Sequence, residues 1–378
     1  MASSSKATVK SGKEAAPQAA QQFAQAENLR AVGDARAAEP IYRQFLKIHP
    51  DHVAAMRGCA EALDAMGRKK RASAMRQKAD TKESETYCAV AEKAYLAGGY
   101  EKALKCYAQA LVLTPELGEA VWGTADCHAS LGRNKTAIKW YQRYLEIEPD
   151  EPEALHMLAS LGVGEAPDRA SDDYVTTYFD RFAADFDEML VKQLEYRVPE
   201  LIVAAVDEAL GAERGDLTVL DVGCGTGLCG VALTGRTQRG RITAIDGIDL
   251  SPKMLSQARR RRLYRELIEA DLCAYLAETP AQYDLVVSGD VLIYLGSLDV
   301  VMAGIARVLE AGGTAVFSLE TRKGAGFKLT ESGRYAHSRS YVRHIAAEAG
   351  LVEQGVTRQT VRLEYGEPVL GDLWVFGR

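Results

Sequence analysis

The chain has 378 residues, 47% of them hydrophobic and 26% charged, the balance of a globular protein with enough apolar surface for two domains. A formal net charge of −6 and a pI near 5.7 lack the basic excess that nucleic-acid phosphates require, so no nucleic-acid partner is expected. No run of apolar residues is long enough to span a membrane, and the seven cysteines, without a C-x-x-C pair, read as reduced, cytoplasmic thiols. The six histidines are scattered without ligand spacing, so no metal is expected.

Residues 1–18, rich in Ala, Ser, Lys and Gln, read as a disordered tail without the apolar core of a secretory signal. From residue 19 a period appears. Gly33, Gly67, Gly98 and Gly132 are spaced as turn glycines, each followed by an alanine (Ala38, Ala72, Ala103, Ala137) and then by Tyr42, Arg76, Tyr107 or Tyr141. Pro50, Pro115 and Pro149 close three of the units, while Ser84 stands where the second would have its proline. Each unit predicts a helix hairpin with a small residue at the crossing. This resembles the tetratricopeptide repeat over residues 19–150, with "PEALHMLASLG" from Pro152 as a capping helix and residues 19–164 as the repeat domain. The resemblance implies a surface for a protein partner or for self-association, and the residues leave these alternatives open.

"GVGEAPDRASDD" reads as a linker. The segment 165–216 then carries Tyr174, Tyr178, Phe179, Phe182 and Phe186 at helical spacing, a core stripe or a helical lid. From Leu217 short β-branched runs alternate with helix-length stretches. Strands are expected over 217–222, 241–250, 265–270, 283–289, 312–320, 351–361 and 371–378, the last two joined by a turn at "EYGEP". The expected fold class is an N-terminal all-α repeat solenoid plus a C-terminal α/β Rossmann-like domain, 217–378, with a seven-stranded, mostly parallel sheet carrying one antiparallel strand.

The loop after the first strand, "DVGCGTG", places Gly223, Gly225 and Gly227 where a ligand meets bare backbone at the carboxyl ends of the strands. Its third glycine falls one residue short of the dinucleotide spacing G-x-G-x-x-G, and Asp221 precedes it. Asp249 closes the next strand before "LSPKML", a carboxylate suited to the two hydroxyls of a ribose. Together these resemble the class I S-adenosylmethionine-dependent methyltransferases. The resemblance implies S-adenosylmethionine as cofactor, Asp249 on its ribose with Leu250 and Met254 beside it, and Asp271 and Leu272 of "EADLCAY" on its adenine. It implies Ser288, Asp290 and Tyr294 of "YDLVVSGDVLIYLG" at the methionine end and the acceptor. In small-molecule members a helical segment closes over the cofactor, and "YFDRFAADFDEML" looks like such a lid. Tyr174, Tyr178 and Arg197 are then candidates for the methionine carboxylate.

The segment 321–350 gathers Arg334, Tyr335, His337, Ser338 and Tyr341, cationic and hydroxylic groups that suit an anionic acceptor or belong to a capped surface helix. His337 is also a candidate general base. The favoured function is methyl transfer to a small-molecule carboxylic acid. N- or S-methylation, a protein or carrier-bound substrate recruited by the repeats, and a non-catalytic cofactor-binding scaffold are the alternatives. An N-P-P-Y or D-P-P-Y run, which would mark amide or base-amine methylation, does not follow the fourth strand.

Overall fold

The computed structural model describes residues 7–184, 186–188, 190, 194–210, 216–235, 242–364 and 367–378. The chain divides into two compact units, Met1–Pro149 and Asp150–Arg378.

Among the described residues the first unit has helices as its regular elements: α1 Ala7–Ala31, α2 Ala35–Ile48, α3 Val53–Ala65, α4 Lys69–Leu96, α5 Tyr100–Leu113, α6 Gly118–Ser130 and α7 Asn134–Ile147. Helix α1 begins inside the stretch expected to be disordered, where alanine and glutamine favour helix; residues 1–6 lie outside the described residues. Gly33, Gly67, Gly98 and Gly132 end their helices with φ of +83°, +74°, +75° and +66°, the left-handed cap that glycine takes without strain. Ala38, Ala72, Ala103 and Ala137 are fully buried at the crossings. The repeated tyrosines pack on bare backbone, since a Cβ at Gly58 would meet the Tyr42 ring at 2.5 Å and one at Gly123 the Tyr107 ring at 2.1 Å. The second unit of the repeat departs from a plain hairpin. With no proline at Ser84, its second helix runs on into the first helix of the next repeat as the single 28-residue α4. The buried Ser84 hydroxyl lies 2.8 Å from the Asp80 carbonyl and 3.1 Å from that of Ala110.

The second unit begins with α8 Pro152–Ser160, which the sequence assigns to the repeats. Then follow α9 Asp172–Phe182, α10 Phe186–Glu188 and α11 Val198–Ala209. The α/β part reads β1 Leu217–Val222, α12 Leu228–Thr234, β2 Ile242–Asp249, α13 Pro252–Arg261, β3 Glu266–Glu269, α14 Leu272–Glu278, β4 Tyr283–Ser288, α15 Asp299–Val308 and β5 Leu309–Thr321. It closes with β6 Phe327–Leu329, β7 Tyr335–His337, α16 Arg339–Glu348, β8 Val352–Glu364 and β9 Glu367–Gly377. The turn expected between the last two strands falls at 365–366, outside the described residues.

Among the described residues the sheet has nine strands rather than the expected seven. Strands β3, β2, β1, β4 and β5 lie parallel in that order, β9 runs antiparallel to β5, and β8 pairs antiparallel with β9. The additional strands are the short pair β6–β7. Glu320 pairs with Gly371 of β9 and with Ala336 of β7, so β7 takes the edge of β5 that β4 leaves after its last partner, Phe317. Alternate residues feed two cores. Leu220, Val222, Val286 and Phe317 pack in one with α15 and α16, and Val219, Leu285, Val287 and Val316 in the other with α11. Among the described residues no helix is long and apolar enough to cross a membrane.

Candidate active site

A cleft opens at the carboxyl ends of β1, β2, β3 and β4, the place where an open parallel sheet receives its ligand. Gly223, Gly225 and Gly227 all adopt positive φ, +69°, +53° and +92°. A Cβ on Gly223 would strike Val291 at 2.3 Å, whereas one on Gly225 would meet nothing within 4 Å. Gly225 therefore offers open backbone to the cleft it lines, Gly223 gives passage to the neighbouring loop, and Gly227 is the N-cap of α12.

Asp249 is held by the loops on either side of it: its Oδ2 accepts the Gly225 N–H and its Oδ1 the Ser251 N–H, each at 2.8 Å. Burial raises its pKa while the backbone donors pull the other way. Leu250 and Met254 line the cleft beside it. Asp271 caps α14, accepting the Ala274 N–H at 2.9 Å, and its other oxygen takes the Arg169 guanidinium at 2.8 Å. Leu272 follows it into the lining. These positions suit an adenosine: an open glycine backbone, an oriented carboxylate at the end of β2 and a second one at the end of β3.

The far wall is aromatic. Tyr178, Phe179 and Phe186 of α9 and α10 line the cleft with Tyr294, and the Arg334 guanidinium beside Tyr294 opposes the rise that burial imposes on its hydroxyl pKa. Asp290, just after β4, has φ of +54°, a conformation that costs a non-glycine residue on the order of 1–3 kcal/mol unless its surroundings hold it. Here Ser318 does so, accepting the Asp290 N–H at 2.7 Å and donating to its Oδ1 at 2.8 Å, and Arg362 donates to its Oδ2 at 2.7 Å. Arg362, only 3% exposed, also pairs with Glu320.

Several expected site residues stand elsewhere. Tyr174 stacks on His156 with ring centroids 4.3 Å apart and does not line the cleft, because α9 turns that face towards α8. Arg197 is the N-cap of α11, with its N–H bonded to the Val361 carbonyl. Asp221 lies beneath the glycine loop, accepting from the Tyr264 hydroxyl at 2.6 Å, and burial raises its pKa to about 7. The Ser288 hydroxyl goes to the Val222 carbonyl at 3.0 Å. Of the 334–341 group only Arg334 lines the cleft. The unpredicted β6–β7 pair turns the rest inward: the Tyr335 hydroxyl donates to the Pro167 carbonyl, Ser338 caps α16, and the Tyr341 hydroxyl accepts the Leu298 N–H. His337 Nε2 sits 3.0 Å from the Gly296 carbonyl, and burial lowers its pKa to about 4. A ring so enclosed and away from the cleft is not placed as a base for a bound acceptor. Conversely, Tyr196, Arg169 and Arg362 line the cleft without a motif to announce them.

Comparison with known proteins agrees with the geometry. Residues 219–313 match the family described as methyltransferase domain, and residues 29–82 and 91–152 match tetratricopeptide repeat families. A ubiquinone biosynthesis O-methyltransferase of Nitrosomonas europaea is 29% identical over 41% of this chain and 72% of its own length. That of Thiobacillus denitrificans is 30% identical over 38% of this chain and 67% of its own. Aklanonic acid methyltransferase DauC of Streptomyces sp. is 30% identical over 38% of this chain and 64% of its own length. Among solved structures, the N-methyltransferase NodS of Bradyrhizobium japonicum in complex with S-adenosyl-l-homocysteine is similar, with a TM-score of 0.43 and 18% identity over 54% of this chain and 98% of that one.

The fold and the cleft are those of a class I methyltransferase. The chain belongs to the class I S-adenosylmethionine-dependent methyltransferases, joined to tetratricopeptide repeats, and S-adenosylmethionine is its cofactor.

Proposed function

We propose that the enzyme methylates the carboxylate oxygen of a small organic acid. The observation that carries this is Arg334 lining the cleft beside the Tyr294 hydroxyl. A guanidinium and a phenol hydroxyl together suit an acceptor with a carboxylate, the guanidinium binding it in two contacts. A carboxylate is ionised at neutral pH and needs no base, and among the described residues no histidine lines the cleft. Two relatives' names point the same way: aklanonic acid methyltransferase, and the malonyl-[acyl-carrier protein] O-methyltransferase of Enterobacter lignolyticus, 35% identical over 100 residues.

S-adenosylmethionine supplies an electrophilic methyl group on a sulfonium. In this reading Asp249 holds its ribose, Gly225 gives it backbone clearance, and Leu250, Met254, Asp271 and Leu272 enclose the adenine. Arg334 and Tyr294 orient the acceptor, and Tyr178, Phe179 and Phe186 exclude water, so that catalysis is mainly alignment in a dry site. Residues 150–378 form the catalytic module in this reading, and the repeats bind a protein, as a carrier of the acid or a second copy of the chain. The seven unpaired cysteines fit a reducing compartment such as the cytoplasm.

The test is methyl transfer from labelled S-adenosylmethionine to panels of carboxylic acids, phenols and amines. A methyl ester releases methanol in mild alkali; a label that survives alkali overturns the reading. Arg334→Leu is expected to raise the acceptor KM at least about tenfold while leaving affinity for S-adenosylhomocysteine unchanged.

A further inference from the structure

Three cofactor loops follow β1, β2 and β3, and the segment from Arg169 to Asp187 makes a polar tie to each. Arg169 donates to Asp271 at the end of β3 at 2.8 Å. Asp180 accepts the Ser251 hydroxyl, two residues beyond Asp249, at 2.6 Å, and the Lys253 ammonium lies 3.8 Å from its other oxygen. Asp187 accepts the hydroxyl of Thr226, inside the glycine loop, at 2.5 Å.

The last tie is a closed ring. Arg261, the final residue of α13, donates from Nε to the Thr226 carbonyl at 2.6 Å and pairs through Nη2 with Asp187. Its Cδ stands 3.2 Å from where a Cβ on Gly227 would be, so its stem packs along the loop. The arginine run 259–262 thus divides: Arg260 reaches the Gln257 side chain on the exposed surface, whereas Arg261 joins the glycine loop and the lid.

We infer that Asp187 and Arg261, with Asp180 and Arg169, are positioning residues for cofactor binding: through them the aromatic lid holds all three loops in their binding shape, and cofactor affinity depends on the lid being docked. A planar fork is needed at 261, because one group must serve a backbone carbonyl and a carboxylate at once. A lid docked to the loops stabilises the bound state to the extent that the loops differ between docked and free forms.

The inference is tested on S-adenosylhomocysteine binding by titration calorimetry with the full chain and no acceptor, so it stands or falls apart from the carboxylic-acid reading. Asp187→Asn and Arg261→Met are each expected to weaken binding about tenfold, with the double variant little weaker than either single one. Arg261→Lys, which keeps the charge but not the fork, is expected to behave as Arg261→Met, and Arg260→Met as the parent. Bound S-adenosylhomocysteine is expected to slow proteolysis within 169–184 in the parent and to lose that effect in the Asp187 and Arg261 variants. Affinity within about twofold of the parent in both, with unchanged circular dichroism, overturns the inference. So does a loss in Arg260→Met equal to that in Arg261→Met. Should Arg261→Met melt at a lower temperature without ligand, Thr226→Val decides the matter: affinity at the parent's level there overturns the inference, and a loss like that of Asp187→Asn upholds it.

Discussion

At the scale of single residues the cofactor loops depend on backbone shape as much as on side chains. Gly223 combines a positive φ with a neighbour 2.3 Å from any added Cβ. Gly223→Ala is therefore expected to cost about 1–3 kcal/mol of stability and to abolish cofactor binding, measured by denaturant unfolding and calorimetry. Asp221 makes a pH prediction. Its folded pKa is raised to about 7 from an ordinary value of 3.8, so the folded state holds the proton more tightly than the unfolded chain. Stability from this group is present below the lower value and falls as pH rises through that window. Asp221→Asn, which keeps an acceptor for the Tyr264 hydroxyl, is expected to raise the melting temperature of the cofactor-free enzyme more at about pH 8 than at about pH 5. His337 works from the other side: its pKa, lowered to about 4, makes it a group whose neutral form is favoured, with stability lost as pH falls towards that value.

Among the elements, those whose pattern is local were legible in the sequence. The strand 217–222 is legible to the residue, since a short apolar run and a glycine-rich stop define it. Asp249 and Asp271 were legible because each sits at a strand end whose next residues begin a helix. What could not be read depends on distant partners. Strands β6 and β7 have three residues each and exist because β5 outruns β4 and leaves an edge to pair. That pairing takes Tyr335 and His337 inward, and of that group Arg334 lines the cleft. In the stretch read as a linker, the Asp168 carbonyl accepts the N–H groups of Gly296 and Ser297, and the Ala170 N–H donates to the Tyr294 carbonyl. Nothing in its own composition names those partners. The missing proline at Ser84 is visible in the sequence, whereas the helix that runs on through it is seen only in the fold. Ser84→Pro is expected to break α4 and cost about 3 kcal/mol or more, seen as lost helical ellipticity and a lower melting temperature.

For the molecule as a whole, the boundary between the units matters to any attempt to separate them. Every described residue lining the cleft lies from 169 to 362, so a chain beginning at Asp150 is expected to bind S-adenosylhomocysteine within about twofold of the full chain. A chain beginning at residue 165, where sequence alone would cut, loses α8. With it go the His156 bond to the Gly333 carbonyl at 2.7 Å, the stacking on Tyr174 and the Glu153 pair with Arg181. That shorter chain is expected to melt lower and to bind the acceptor more weakly, since Gly333 precedes Arg334. In the repeat unit the uninterrupted α4 has a mechanical consequence. At 1.5 Å per residue its 28 residues make a strut about 42 Å long shared by two repeats. Under tension, repeats joined at a proline corner can yield one at a time. The two that share this strut must fail together, as a single longer step in a force–extension trace.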